Sequence, residues 1–217
     1  YHRLFKRYDL VEVLGMGTYE MYANRDSLLY RRAYQLEDIP TLIRGTLRVK
    51  GYCDSWDAFV QLGLTDDSYP LVHSNQITYR QFIEAYIDDD LEGTVEERVA
   101  KALGVDLNGE VMQRLIWTGI FEDQQIDLVN ATPAQILEAL LLKKWKLKPE
   151  DKDMIIMQHE FEYTLDNKQY QRISRMVLKG ANSEDTAMSK LVGLPLGIFL
   201  KQVLLEKVKL KGVNIPV

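Results

Sequence analysis

Two stretches of the chain set arginines among polar neighbours: "YANRDS" at Tyr22–Ser27 and "RGTLRVKG" at Arg44–Gly51. Arg25 stands between Asn24 and Asp26, and the Asp26 carboxylate could aim it at a ligand. In the second stretch Ile43, Leu47 and Val49 alternate with Leu42, Arg44, Thr46, Arg48 and Lys50. Period-two alternation predicts a strand, with Arg44, Thr46 and Arg48 on one face and Lys50 at its end. Guanidinium forks match carboxylates bidentately, so this face suits a small molecule bearing two or more carboxylates. The same alternation also describes a solvated strand face, and Asn-Arg-Asp an ordinary loop. The pattern alone leaves both readings open. Gly45, inside the strand, signals a bulge or a close backbone approach.

Other reactive residue types are scattered. "GMG" at Gly15–Gly17 lacks the third glycine of a dinucleotide fingerprint and reads as a turn. His159 lies mid-strand before Phe161 and reads as a buried structural histidine or a supporting site residue. His2 and His73 suggest no metal site, and Asp88–Asp90 reads as a solvated loop after a helix. Lys143, Lys144 and Lys146 read as a helix-end charge cluster. Cys53 has no paired base in sequence and reads as inert. No residue stands out as a general acid or base.

The elements that must position these residues divide by periodicity. Residues 1–52 alternate like a sheet, as in "YDLVEVLG". Residues 53–148 carry helical spacing in "SWDAFVQLGL", "TYRQFIEAYI", "TVEERVAKALGV", "GEVMQRLIWTGIF" and "TPAQILEALLLKKWKL". In the last, Thr132 suits an N-cap and Pro133 the first helical position. Residues 149–180 return to strands, "DMIIMQHEFEY" and "YQRISRMVLKG", joined as an antiparallel hairpin by an Asp-Asn turn. Residues 183–207 are helical, with Pro195 expected to restart the helix after a break at Gly193. The order predicts an α+β fold: a mixed or antiparallel sheet from 1–52 and 149–217, helices on one face, and an all-helical lobe inserted at 53–148.

The totals exclude several classes. With 217 residues and 46% hydrophobic content, the chain can bury a core without disulfides, and its one cysteine allows none within the chain. A net charge of −5 argues against general nucleic-acid binding. No apolar run approaches the roughly 20 residues of a membrane span, so no membrane partner is expected. The start, "YHRLFKRYDL", has no signal-peptide core and no initiator Met, which reads as a piece cut from a longer protein. A cytoplasmic location is the corresponding expectation.

Taken together, Tyr22-Ala23-Asn24-Arg25-Asp26-Ser27, Arg44-Gly45-Thr46-Leu47-Arg48 and Gly51-Tyr52 resemble the C-terminal domain of the L-glutamate-forming saccharopine dehydrogenases. "DMIIMQHEF" is similar to that family's late strand, "AMSKLVGLPLGI" to its C-terminal helix, and "KGVNIPV" to its ending. Ala23 replaces the usual proline, and Ser189 and Leu191 depart from the helix signature.

The resemblance implies an N-terminal Rossmann domain upstream and a substrate and dimerisation domain here. It implies NADP-linked interconversion of saccharopine with glutamate and aminoadipate semialdehyde, by hydride transfer at an imine carbon. NADP would belong to the full-length enzyme, with no cofactor or metal expected in this piece, which would be inactive alone. It also implies that Arg25, Thr46, Leu47 and Arg48 contact saccharopine. Asn24, Asp26, Arg44 and His159 would support them, in a homodimer. Two alternatives stand beside this one: a reductase of carboxylated polyamine imines, and a non-catalytic dimerisation or ligand-sensing module on the same scaffold.

Overall fold

The structure, a computed structural model, describes residues 3–24 and 28–212. In chain order its strands are β1 (Tyr8–Val13), β2 (Gly17–Ala23), β3 (Gly45–Val49), β4 (Met154–Leu165) and β5 (Lys168–Lys179). Its helices are α1 (Leu29–Ala33), α2 (Tyr52–Gln61), α3 (Tyr79–Glu84), α4 (Val95–Leu103), α5 (Glu110–Thr118), α6 (Pro133–Trp145) and α7 (Ala187–Leu204). A short 3-10 turn covers Ser74–Gln76. The fold is α+β, as the periodicities predict, and every strand pairing is antiparallel.

The strands form two sheets rather than one: β1-β2-β3 and the β4-β5 hairpin. The described residues group into two compact units, 3–24 with 43–146, and 28–42 with 147–212. The first strands therefore stay with the helical segment. The aromatic residues of β2 and α2 give the reason, because they pack into one cluster with Phe5.

In the first unit, β1 and β2 turn around "GMG", where Gly15 and Gly17 take φ of 78° and 95°. These values suit glycine and little else, so the motif is a hairpin turn. The register places Tyr8 opposite Tyr22 and Tyr22 opposite Thr46, with Glu20 between Leu10 and Arg48. Alternation then puts Tyr8, Glu20, Tyr22, Thr46 and Arg48 on one face. Helix α2 packs against β2 and β3.

The helical lobe has its own core, including Leu64, Tyr79, Phe82, Ile83, Met112 and Leu115. Short helices need defined ends, and three here carry complete capping boxes: Thr78 with Gln81, Thr94 with Glu97, and Thr132 with Gln135. Arg98 is buried and ties Asp88–Asp90 down: Nη1 meets the Glu84 carboxylate at 2.8 Å and Nη2 donates to the Asp88 carbonyl at 3.2 Å. At the end of α6, Lys143 lies over the Tyr79 ring and Lys144 over the Trp117 ring, at 5.4 and 5.7 Å.

In the second unit β4 and β5 pair over their full length, and the turn residues Asp166 and Asn167 take φ of 49° and 57°. Both values fit the type I′ geometry that Asp-Asn favours. Helix α7 begins on an external cap: the Ala187 and Met188 amides donate to the Asp153 carboxylate at 2.6 and 2.9 Å. It then runs unbroken to Leu204 with Pro195 inside it, correcting the expected break at Gly193. Proline removes one helical hydrogen bond, and the helix continues through it. Because it is continuous, α7 reaches 18 residues with mean hydropathy 1.3 and is mostly exposed; by length and composition alone it is long and apolar enough to cross a membrane. Helix α1 lacks a sequence signal. Its Arg31 donates to the carbonyls of Leu36, Glu37 and Ile39, which folds the following loop back on the helix.

Thr132 both caps α6 and donates to Asp67 at 2.6 Å. Thr132→Ala should therefore lower stability by about 1–2 kcal/mol in urea unfolding. Thr132→Ser should retain most of it.

Candidate functional site

The two arginine stretches meet. Tyr22 faces Thr46, Ala23 faces Gly45, and the Asn24 amide donates to the Arg44 carbonyl at 3.1 Å. Residues 22–24 and 44–48 thus lie side by side on neighbouring strands. Arg25 and Asp26 lie outside the described residues. Gly45 is the close approach that its position predicts: a Cβ there would overlap the Met21 side chain.

Thr46 and Arg48 share the face that α2 covers in part, Thr46 half-buried and Arg48 exposed. Leu47 points to the opposite face, in register with Met21. A substrate touching Leu47 from the Arg48 side would meet its backbone, not its side chain. Arg44 is exposed at the entry to β3.

Beneath this face lies an acid that the alternation pattern did not single out. Glu20 is 1% exposed. Its carboxylate accepts the Gly51 amide and, at 2.8 Å, the Cys53 amide. A charge buried this deeply persists only when hydrogen-bonded. The two amides belong to the first turn of α2, where the helix dipole also favours an anion. Cys53 is buried beside this carboxylate. Burial first, and then its contact with Glu20, pushes the thiol pKa up to about 12. The inert reading of Cys53 holds.

Between the two clasped amides sits Tyr52. Its ring lies nearly parallel to Tyr22 (6.3 Å, 7°) and to Trp56 (5.6 Å, 11°), and Trp56 continues onto Trp145 (6.2 Å, 20°). Phe5 meets Tyr52 edge-on at 6.4 Å. The Arg48 guanidinium carbon stands 5.3 Å from the Tyr52 ring centroid, within cation–π range. Burial pushes the Tyr52 phenol up, and the adjacent Arg48 opposes that shift. Arg48 Nη1 donates to its neighbour's carbonyl, Leu47 O, at 3.3 Å. No carboxylate among the described residues pairs with Arg48 within 4 Å.

Lys50, just past the end of β3, lines a cavity of about 360 Å³ with Tyr8, Glu20, Asp54, Glu110 and Arg114. Several of those groups already satisfy one another: Tyr8 donates to Asp54 at 3.2 Å, and Arg114 to Glu110 at 2.7 Å. His159 corrects the expectation of burial. It stands exposed on β4, in the second unit, stacked on Phe161 at 6.2 Å. A hairpin strand of this length extends beyond what its own unit covers, and its ring packs along the strand instead. No cluster of three or more metal-ligating side chains occurs among the described residues.

Comparison with known proteins decides the family. The family model for the saccharopine dehydrogenase C-terminal domain matches residues 1–217. The chain belongs to this family. Among its relatives, mouse alpha-aminoadipic semialdehyde synthase, a mitochondrial protein, is 31% identical over 91% of the chain and 22% of the relative. The saccharopine dehydrogenase [NADP(+), L-glutamate-forming] of Schizosaccharomyces pombe is 29% identical over 90% of the chain and 45% of its own length. The solved apo saccharopine dehydrogenase of Saccharomyces cerevisiae superposes with a TM-score of 0.83 at 24% identity, covering 97% of this chain and 48% of that one. That likeness shows the shared α+β fold. The chain spans under half the length of these relatives.

The Glu20 clasp is open to test. Glu20→Gln turns one acceptor into a donor facing an amide. It should cost about 1.5–3 kcal/mol in urea unfolding. Near pH 8.5, where a free cysteine is half ionised, Cys53 should resist thiol reagents in the native protein. It should react at least tenfold faster in Glu20→Gln.

Proposed function

We propose that this domain holds the substrate of an NADP-linked dehydrogenase acting on saccharopine, with Arg48 gripping a substrate carboxylate. The observation that carries the reading is Arg48 itself. It is an exposed guanidinium without a carboxylate partner among the described residues, on a strand whose neighbour, β2, leads into the first arginine stretch. Saccharopine is a tricarboxylate, and a guanidinium fork binds a carboxylate through two parallel N–H···O bonds. The fungal relatives named saccharopine dehydrogenase support the same substrate. In this reading Thr46 adds a hydroxyl beside Arg48 and Leu47 contributes backbone, while Arg25, outside the described residues, is a further candidate ligand on the resemblance alone.

The redox chemistry belongs elsewhere. Among the described residues every strand pairing is antiparallel, and none forms the strand, glycine-rich turn and helix that cradle a dinucleotide pyrophosphate. We therefore ascribe hydride transfer to the rest of a longer enzyme. What this chain supplies is orientation, which keeps the reacting C–N bond in place while the cofactor acts.

The test uses the full-length enzyme. Arg48→Ala should lower kcat/KM for saccharopine by about 10- to 100-fold, the loss of one charged hydrogen-bonded contact. The affinity for NADP+, measured by fluorescence titration, should stay unchanged. Unchanged kcat/KM would overturn the assignment.

A further inference from the structure

An exposed arginine on a strand samples many rotamers, and side-chain entropy opposes fixing it. A site that relies on such a group gains from a surface that holds it beforehand. The structure contains one. Tyr52 is held by its backbone, because the amides on either side of it, those of Gly51 and Cys53, both donate to Glu20. It is held by its ring as well, which lies nearly parallel to both Tyr22 and Trp56 with Phe5 against its edge. The stack then runs through Trp56 to Trp145 at the end of α6. Arg48 lies over this fixed ring. A guanidinium seated on an aromatic face keeps its N–H rim clear for a carboxylate.

We propose that Tyr52 is a positioning residue for the substrate site: its immobilised ring seats the Arg48 guanidinium so that the fork is aimed before the carboxylate arrives. This rests on the reading of Arg48 as a substrate ligand. Tyr52 acts chiefly through its ring, and its hydroxyl, which also interacts with Arg48, adds to the seat. The Glu20 clasp and the Tyr22–Tyr52–Trp56 stack serve the site indirectly, by leaving the ring one position.

Steady-state kinetics of the full-length enzyme with saccharopine and NADP+ test this. Tyr52→Phe, which keeps the ring and loses only the hydroxyl, should raise KM less than Tyr52→Leu does. Tyr52→Leu should raise KM for saccharopine roughly 5- to 30-fold, the range of a partly desolvated cation–π contact, and change kcat less. Combined with Arg48→Ala, Tyr52→Leu should add no further rise in KM, because the group it positions is gone. If Tyr52→Leu acts just as strongly in the Arg48→Ala background, Tyr52 has a merely structural role and the proposal fails while Arg48 keeps its own. If Arg48→Ala alone leaves KM unchanged, the underlying reading fails instead. Should Tyr52→Leu not fold, Tyr52→Met removes the π face with similar volume, and the same outcomes decide.

Discussion

The first unit depends on one buried carboxylate. Glu20 has left water almost entirely, and the Gly51 and Cys53 amides replace its hydration. Stripping a carboxylate of water costs several kcal/mol, so the bonds that compensate must be kept. Keeping them locks the first turn of α2 to the middle strand of the sheet. Much of the local architecture follows. Cys53 is pressed beneath the helix, Tyr52 is fixed between Tyr22 and Trp56, and the Arg114 guanidinium finds the Gly51 carbonyl at 3.2 Å. Glu20 also sits directly across the ladder from Arg48, yet its lone pairs are engaged by amides. The sheet can therefore carry an acid and a base side by side with the base still open to a ligand.

The second unit repeats the device in a more exposed setting. Asp153, at the head of the long hairpin, accepts the first two amides of α7. In both units a carboxylate from a strand region distant in sequence fixes where a helix begins. Helix starts are where unpaired amides accumulate, so an acid from elsewhere serves as both cap and tether. Thr78, Thr94 and Thr132 do the same work locally in the helical lobe, and Thr132 is in turn tied to the distant Asp67.

How legible the molecule was in its sequence follows the range of the interactions involved. Local rules were sufficient for the strand at Gly45–Val49, the N-cap at Thr132, the Asp-Asn turn of the β4-β5 hairpin and the "GMG" turn. Each depends on residues within a few positions of one another. The strand reading also placed Thr46 and Arg48 on one face, and the resemblance picked out the same residues. Long-range facts were not legible. Glu20 drew no reading from the sequence, because its partners are thirty-odd positions away. Trp145 was hidden inside "KKWK", which reads as charge, although its ring ends the aromatic stack. Gly193 and Pro195 suggested a break in α7 that a long apolar helix does not make. His159 showed the opposite error. An apolar neighbourhood in sequence implied burial, whereas the hairpin holds it exposed.

A structural biochemist would ask first where the carboxylates of the substrate go. A crystal structure of the full-length enzyme with saccharopine bound answers this directly. The account requires one carboxylate on the Arg48 guanidinium, with Arg48 still seated over the Tyr52 ring. Saccharopine bound with all its carboxylates on other residues, and Arg48 turned away to solvent, would contradict it.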